Sequence, residues 1–179
     1  MTIGKLPSEV LSRRFELPDV DVNAYVDPDE IYRFRGHAFT LDNMHLLLET
    51  EKTVCEVFDQ LALCRLPNTA AWLHGIANQR GNMVPVFDLK LLFGLGATST
   101  NKKNVKYLIF GQKEAAVGML IEELPVRIDL EPEERMAAIP PLPANLQPYV
   151  HLCYRHDNKL WIAWDVHELF SAVSEQVAA

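Results

Sequence analysis

Features that mark three common classes of protein are scarce or missing in this 179-residue sequence. Its three cysteines form no CxxC pair, which argues against a disulfide framework and a zinc knuckle and fits a reducing cytoplasm. Only 17 basic residues face 24 acidic ones, giving a net charge of −7 without a basic block, so nucleic acid is not expected as a partner. No apolar run reaches the roughly 18 residues of a membrane helix, and the N-terminus lacks the apolar core of a signal peptide. We therefore expect a cytoplasmic protein without direct membrane insertion.

Catalytic and metal-binding motifs are also missing. There is no HExxH, no GxSxG and no phosphate loop ending in GK[ST], and no two of the six histidines are spaced four residues apart. The three cysteines have apolar neighbours and are interpreted as small buried hydrophobic residues: Cys55, Cys64 and Cys153. We predict no catalytic residue, no cofactor and no metal site. An enzyme that uses one of these cysteines with a histidine, or a bound metal, stays open as an alternative.

The composition divides the chain into a short extension and one main domain. Residues 1–35 are predicted to be a flexible N-terminal extension, a tail or docking arm, because Pro18 ends the one short helix that they could form. Residues 36–179 instead show short runs of β-branched, aromatic and leucine residues, broken by turn residues at intervals of about ten. Ten strands are predicted, at 37–41, 44–49, 53–58, 75–78, 83–87, 107–110, 115–121, 126–130, 151–155 and 160–164.

The main domain contains an internal repeat. MVPVFDLKLLF and LWIAWDVHELF each run from a strand through an aspartate into a helical stretch, at a constant offset of 77 residues. Asp88 and Asp165 occupy the N-cap positions, and Glu168 adds a capping-box pattern, so both aspartates are interpreted as structural. Residues 95–104 form a polar linker between halves at 36–94 and 105–171. We predict an all-β fold of two five-stranded barrels with short helices, with the strand of Pro85 at an edge or at a bulge.

The segment LCRLPNTAAWLHGIANQRGNMVPVFDLKLLFG, residues 63–94, resembles the signature region of the CheW family, the coupling proteins of bacterial chemosensory arrays. The matching motifs are Leu66-Pro67-Asn68-Thr69, Trp72, the run from Gly75 to Gly81, the run from Val84 to Leu89, and Phe93-Gly94. The resemblance extends over residues 36–171 and implies two SH3-like barrels, which agrees with the repeat.

The resemblance also implies a function and partners. Family members are non-catalytic adaptors that link methyl-accepting chemoreceptors to a CheA-type histidine kinase at membrane-associated arrays. Val54 and Arg80 match residues that face the receptor's cytoplasmic tip, and Arg80 lies in an NxRG turn that requires the backbone freedom of Gly81. A salt bridge from Arg80 to a nearby acid is the structural alternative. We predict that the regulatory domain of the kinase contacts the region around three residues, which the motif identifies less specifically: Leu63, Gly75 and Ile76.

The sequence departs from the family pattern in three places, and two of them bear on the subgroup. Gln79 stands where the family has Leu or Val, and both the first hairpin and the N-terminal extension are long. The long segments resemble the PilI-like couplers of type IV pilus twitching systems more than the flagellar coupler. A double barrel that serves as a scaffold in another assembly remains a further alternative, which only the identity of the partner distinguishes.

Overall fold

The computed structural model describes residues 32–50, 53–98 and 105–178, which are mainly β-structure. The strands are β1 (Phe34–Leu41), β2 (Met44–Leu48), β3 (Cys55–Phe58), β4 (Leu63–Cys64), β5 (Leu73–Gln79), β6 (Asn82–Phe87), β7 (Lys106–Phe110), β8 (Val117–Ile121), β9 (Val126–Leu130), β10 (Val150–His156) and β11 (Lys159–Trp164). Helix α1 (Leu89–Leu92) follows β6, and helix α2 (Val166–Ala178) follows β11. Short 3-10 turns cover Lys113–Ala115, Pro132–Glu134 and Gln147–Tyr149.

The predicted strands are confirmed, and the predicted boundaries need two adjustments. All ten strands are present, together with β4, which is too short to carry an alternation pattern. Most of the predicted extension at 1–35 lies outside the described residues, and β1 begins at Phe34, earlier than the predicted domain start. The predicted linker begins with packed residues, since Leu95 contacts the core and Thr98 is buried. Residues 99–104 of that linker lie outside the described part of the chain.

The strands form two sheets, which confirms the all-β fold class. The five-stranded sheet has the order β10-β11-β2-β1-β9, and the six-stranded sheet has the order β3-β7-β8-β6-β5-β4. Most neighbouring strands are antiparallel, but β2 with β11 and β6 with β8 are parallel pairs. No helix among the described residues is long and apolar enough to cross a membrane.

Each sheet takes strands from both halves of the sequence. The first hairpin of the N-terminal half, β1–β2, pairs with β9 and β11 of the C-terminal half. In the same way, β7–β8 pairs with β3 and β6 of the N-terminal half. The halves therefore exchange their first hairpins, and the expectation that each half builds its own barrel is wrong. Alternation of apolar residues defines where a strand lies and which face is buried, but not which distant strand it pairs with.

The internal repeat is confirmed by equivalent hydrogen bonds. The backbone N–H of Asp88 donates to the carbonyl of Trp72, and that of Asp165 donates to the carbonyl of Tyr149, each at 2.8 Å. The β5–β6 and β10–β11 hairpins also shift register at equivalent places, between Leu73 and Gly75 and between Val150 and Leu152. Both hairpins thus carry the same irregularity before an aspartate that begins a helix.

Both aspartates cap helices, but in different surroundings. Lys90 N and Leu91 N donate to Asp88 Oδ1 at 3.1 and 3.3 Å, while Glu168 N donates to Asp165 Oδ1 at 2.8 Å. Asp88 is buried and also accepts from the Thr98 hydroxyl at 2.6 Å and the Thr98 N–H at 3.1 Å. The Asp88 carboxylate therefore joins the start of α1 to the segment that follows it.

Pro85 lies in a central strand of the six-stranded sheet, because β6 is flanked by β5 and β8. The parallel ladder to β8 begins at Val86, one residue later, and the register shift lies in the ladder to β5. The predicted edge position is therefore wrong, and so is a bulge on the strand of Pro85, because the extra residue lies on β5, between Leu73 and Gly75, while Pro85 pairs regularly with Ile76. A missing proline N–H is tolerated where the neighbouring ladder has not begun.

One hydrophobic core connects the two sheets. Its largest cluster contains Leu46 and Ile162 of the five-stranded sheet and Leu108 and Met119 of the six-stranded sheet, all fully buried. Phe87 and Phe170, from the two halves of the repeat, lie with ring centroids 4.6 Å apart. Each buried side chain of this size contributes about 1.5 to 3 kcal/mol relative to exposure. The shared core holds the exchanged hairpins in place.

Candidate interaction site

The NxRG turn connects β5 to β6 through two residues. Arg80 has φ +53° and Gly81 has φ +87°, the combination of positive values that a type I′ hairpin turn requires. The side-chain carbonyl of Asn78 accepts the N–H of Gly81 at 3.0 Å, which fixes the turn. Gly81 thus takes the positive φ that the NxRG pattern predicts for this turn. The turn projects Arg80 outward, and 75% of its side chain is exposed.

Arg80 also forms a local salt bridge, which was the structural alternative to a role in receptor binding. Its Nη2 donates to Glu56 Oε1 at 2.9 Å, and Gln79 Nε2 donates to the other oxygen of Glu56 at 3.3 Å. Such an exposed ion pair is worth about 1 kcal/mol or less. Arg80 is therefore held in one direction by Glu56 without being essential to the core.

Val54 lies on the rim of a large open groove, which we call the main groove. Its side chain is 40% exposed, and its carbonyl accepts the N–H of Gly111 at 2.9 Å at the start of the edge strand β3. The main groove has a volume of about 990 Å³. Its lining residues are His37, Thr50, Thr53, Val54, Cys55, Val57, Gly111, Gln112, Ala115, Leu124, Pro125 and His167. This lining is largely apolar and, within the described residues, contains no carboxylate.

A smaller groove of about 340 Å³, the side groove, continues from the main groove. Val54, Gly111 and Gln112 line both grooves. The other residues of the side groove are Glu56, Gln79, Arg80, Asn82, Val84, Ile109, Lys113 and Ala116. Val54 and Arg80, the two residues predicted to face a receptor, are therefore brought together on one continuous surface.

The residues predicted to contact a kinase lie at the other end of the six-stranded sheet. Leu63 is in the edge strand β4, and Ile76 is in β5, where it pairs with Cys64; both Leu63 and Ile76 are half-buried. Gly75 is buried, and a Cβ atom there would lie 2.8 Å from the carbonyl oxygen of Cys64. Glycine thus allows β4 to approach β5 closely. Leu63 and Ile76 supply the side chains of the surface at this edge of the sheet.

The cysteines give no support to a thiolate nucleophile. Burial raises the pKa of the Cys55 thiol to about 11 and that of the Cys153 thiol to about 11, which keeps both protonated at neutral pH. Cys64 is exposed, so the interpretation of all three cysteines as buried is wrong. Leu63 packs against a buried cluster, so the side chain of Cys64, the next residue of β4, lies on the opposite, exposed face. Among residues 32–50, 53–98 and 105–178, no three histidine, cysteine or acidic side chains could hold a metal ion together.

The histidines have structural contacts. The Nδ1 of His37 lies 2.7 Å from the Thr50 hydroxyl, and the His45 ring stacks on Trp161 at 4.3 Å. Burial, as the main cause, lowers the pKa of His45. The Nδ1 of His156 lies 2.5 Å from Glu134 Oε1, a contact that raises the pKa of His156 and lowers that of Glu134.

Several lining residues were not predicted from the sequence. Leu124 is 58% exposed at the β8–β9 connection, and it faces the main groove together with Pro125 and Val57. Lys113 begins the short turn between β7 and β8 and lines the side groove. These residues belong to no recognised motif. For Leu124, the available sequence signal is its place as an apolar residue between two acids and a proline. Their role follows from the topology, which places both connections beside β3.

Comparisons with known proteins agree with the fold and the motif. A family model described as a CheW-like domain matches residues 35–174. Protein PilI of Pseudomonas aeruginosa is 27% identical over 116 residues, which are 65% of this chain and 64% of that protein. Chemotaxis protein CheW of Helicobacter pylori is 30% identical over 101 residues, which are 56% of this chain and 58% of that protein. The chain therefore spans less than two thirds of the length of either relative.

A solved structure with a similar fold is the scaffolding protein TtCheW from Thermoanaerobacter tengcongensis. The TM-score is 0.59 at 24% sequence identity, and the match covers 76% of this chain and 91% of that chain. At this identity the similarity shows the fold alone. It confirms the predicted pair of SH3-like barrels.

Proposed function

Because the chain belongs to the CheW-like domain family, we propose that it is a non-catalytic adaptor that couples methyl-accepting chemoreceptors to a CheA-type histidine kinase. The observation that carries this proposal is the continuous surface on which Val54 and Arg80 meet. An apolar groove with a charged extension suits a helical ligand that has one apolar and one polar face. A single chain can then connect the receptor to the kinase if the kinase binds another surface.

The receptor's helical tip is proposed to occupy the main groove. Val54, Val57 and Leu124 expose apolar surface along it and would be covered by the apolar face of the helix. Covering a side chain such as valine contributes roughly 1 kcal/mol or more to binding. Arg80, held by Glu56, would contact the polar side of the same helix. The two side chains thus serve different parts of one docking surface.

The kinase regulatory domain is proposed to pack on the edge formed by β4 and β5. Leu63 and Ile76 offer partly exposed apolar surface there, and Leu66 is exposed nearby. Gly75 supports this surface by letting β4 lie close to β5. The sheet order places β3, which borders the main groove, at the opposite edge from β4. Both partners could therefore bind at the same time.

We propose a place in the cytoplasm, at membrane-associated receptor arrays, and the similarity to PilI supports a pilus-based twitching system as the output. The alternative of a double-barrel scaffold in another assembly predicts different partners from the same fold. The thiol-dependent alternative is disfavoured at Cys55 and Cys153, because burial raises the pKa of both thiols to about 11.

The test of the docking surface is Val54→Asp, measured by calorimetric titration with a receptor hairpin fragment from the same genome. Placing a carboxylate on the apolar rim should weaken binding about tenfold or more while leaving the fold intact, because the site is exposed. The matched control is Val126→Asp, since Val126 is 53% exposed on β9 but lines neither groove. Equal affinity of the two variants for the fragment would withdraw Val54 from the receptor surface.

A further inference from the structure

The charge of the two grooves differs from that of the chain. The protein has a net charge of −7, yet Glu56 is the single carboxylate among the described residues that line either groove. That carboxylate is already paired with Arg80 at 2.9 Å. Lys113 supplies a second cation at the same place. Among the described residues, the lining of the two grooves therefore carries two cations against one carboxylate in an acidic protein, and it complements a partner that carries carboxylates.

Lys113 is a side-groove cation that no carboxylate of the described residues pairs with, although Glu114 is the next residue of the same short turn. Lys113 begins the short 3-10 turn at the tip of the β7–β8 hairpin, and it is exposed. It forms no ion pair with a carboxylate in the part of the chain that the structure describes. Arg80 differs, because Glu56 holds it and offsets its charge. Lys113 is thus the groove cation whose charge remains available to a partner.

The backbone conformation also singles out Arg80 and Lys113, independently of their charge. Six residues other than glycine have positive φ among the described residues, and four of them are Asp or Asn, which tolerate this conformation. The remaining two are Arg80, at φ +53°, and Lys113, at φ +52°. They lie on the tips of two different hairpins, β5–β6 and β7–β8, and both line the side groove. Unfavourable backbone conformations of this kind cluster at functional sites.

We propose that Lys113 is a specificity-determining residue that pairs with a carboxylate on the helical tip of the receptor. This inference rests on the proposed function and names the chemistry that the side groove selects. Because Val54, Gly111 and Gln112 line both grooves, one helix can place its apolar face in the main groove and a carboxylate over Lys113. Residues three or four apart lie on the same face of a helix, so an apolar side chain and a carboxylate of one helix can both face this surface.

The test compares Lys113→Glu and Lys113→Asn in titrations with the receptor hairpin fragment. At about 50 mM salt, Lys113→Glu should weaken binding about tenfold and Lys113→Asn about threefold, and the losses should shrink at about 500 mM salt. Asn tolerates positive φ, so Lys113→Asn should keep or raise the thermal stability while binding falls. The matched control is Lys159→Glu, the same charge change on the tip of the β10–β11 hairpin, away from both grooves.

The partner's carboxylate is found by changing each glutamate of the fragment's tip to lysine in turn. We expect one of these fragments to bind Lys113→Glu more tightly than it binds the unchanged protein. The inference is overturned if Lys113→Glu and Lys159→Glu bind the original fragment equally well while Val54→Asp does not bind. Failure of the unchanged protein to bind the fragment overturns the proposed function itself, and this inference with it.

Discussion

Arg80 sits at the tip of a tight hairpin turn with its guanidinium bonded to Glu56. We predict that Arg80→Glu weakens binding of the receptor fragment about tenfold, because it places a second carboxylate beside Glu56 and removes the cation. The melting temperature should change little, since an exposed ion pair contributes about 1 kcal/mol or less. Calorimetric titration and thermal unfolding of the same sample measure both effects. Loss of the folded state together with binding would show that Arg80 is structural.

The contact between His156 and Glu134 makes a pH-dependent contribution at the residue scale. The raised pKa of His156 means that its contribution is complete below the ordinary value of 6.5 and is lost as the pH rises through the folded-state value. The lowered pKa of Glu134 means that its contribution is present above 4.5 and is lost as the pH falls through its folded-state value.

The stabilising window for this pair therefore lies between the lowered pKa of Glu134 and the raised pKa of His156. His156→Gln should reduce the free energy of unfolding by about 1 kcal/mol or less at about pH 5.5, and by a smaller amount at about pH 9. Denaturant unfolding at the two pH values measures the difference. An equal loss at both values would mean that the contact contributes no charge interaction.

At the scale of the elements, the repeated helix caps predict unequal losses. Asp88 is buried and accepts four hydrogen bonds, from Lys90, Leu91 and twice from Thr98. Asp165 is exposed and accepts one, from Glu168. Asp88→Ala should lower the free energy of unfolding by about 3 kcal/mol, because it leaves buried donors unpaired, and Asp165→Ala by about 1 kcal/mol. Equal losses in denaturant unfolding would contradict the different roles assigned to the two caps.

At the scale of the whole molecule, the exchanged hairpins and the shared core predict a single unfolding transition. Neither half of the sequence can complete a sheet alone, because β1–β2 and β7–β8 each belong to the sheet built around the other half. The two sheets should therefore melt together, with equal calorimetric and van't Hoff enthalpies. Scanning calorimetry of the full chain measures both. Two resolved transitions would mean that the sheets are independent units.

The sequence predicted the parts of the molecule that depend on local chemistry. Alternating apolar residues located ten strands, and the aspartates located both helix starts, because these signals lie within a few residues of each other. The exchange of hairpins was not predictable, since it depends on pairing between strands distant in sequence. Of the site, the motif identified Arg80, while Lys113 and Leu124 lie on the grooves through topology alone.

We propose that one chain binds a receptor tip and a kinase regulatory domain at the same time, on separate surfaces. The most direct measurement is a calorimetric titration of the receptor hairpin fragment into the protein, first alone and then saturated with the kinase regulatory domain from the same genome. We expect binding in both titrations, with dissociation constants that differ by less than about threefold. Binding to neither partner at about 100 μM, or complete loss of receptor binding once the kinase domain is bound, would contradict it.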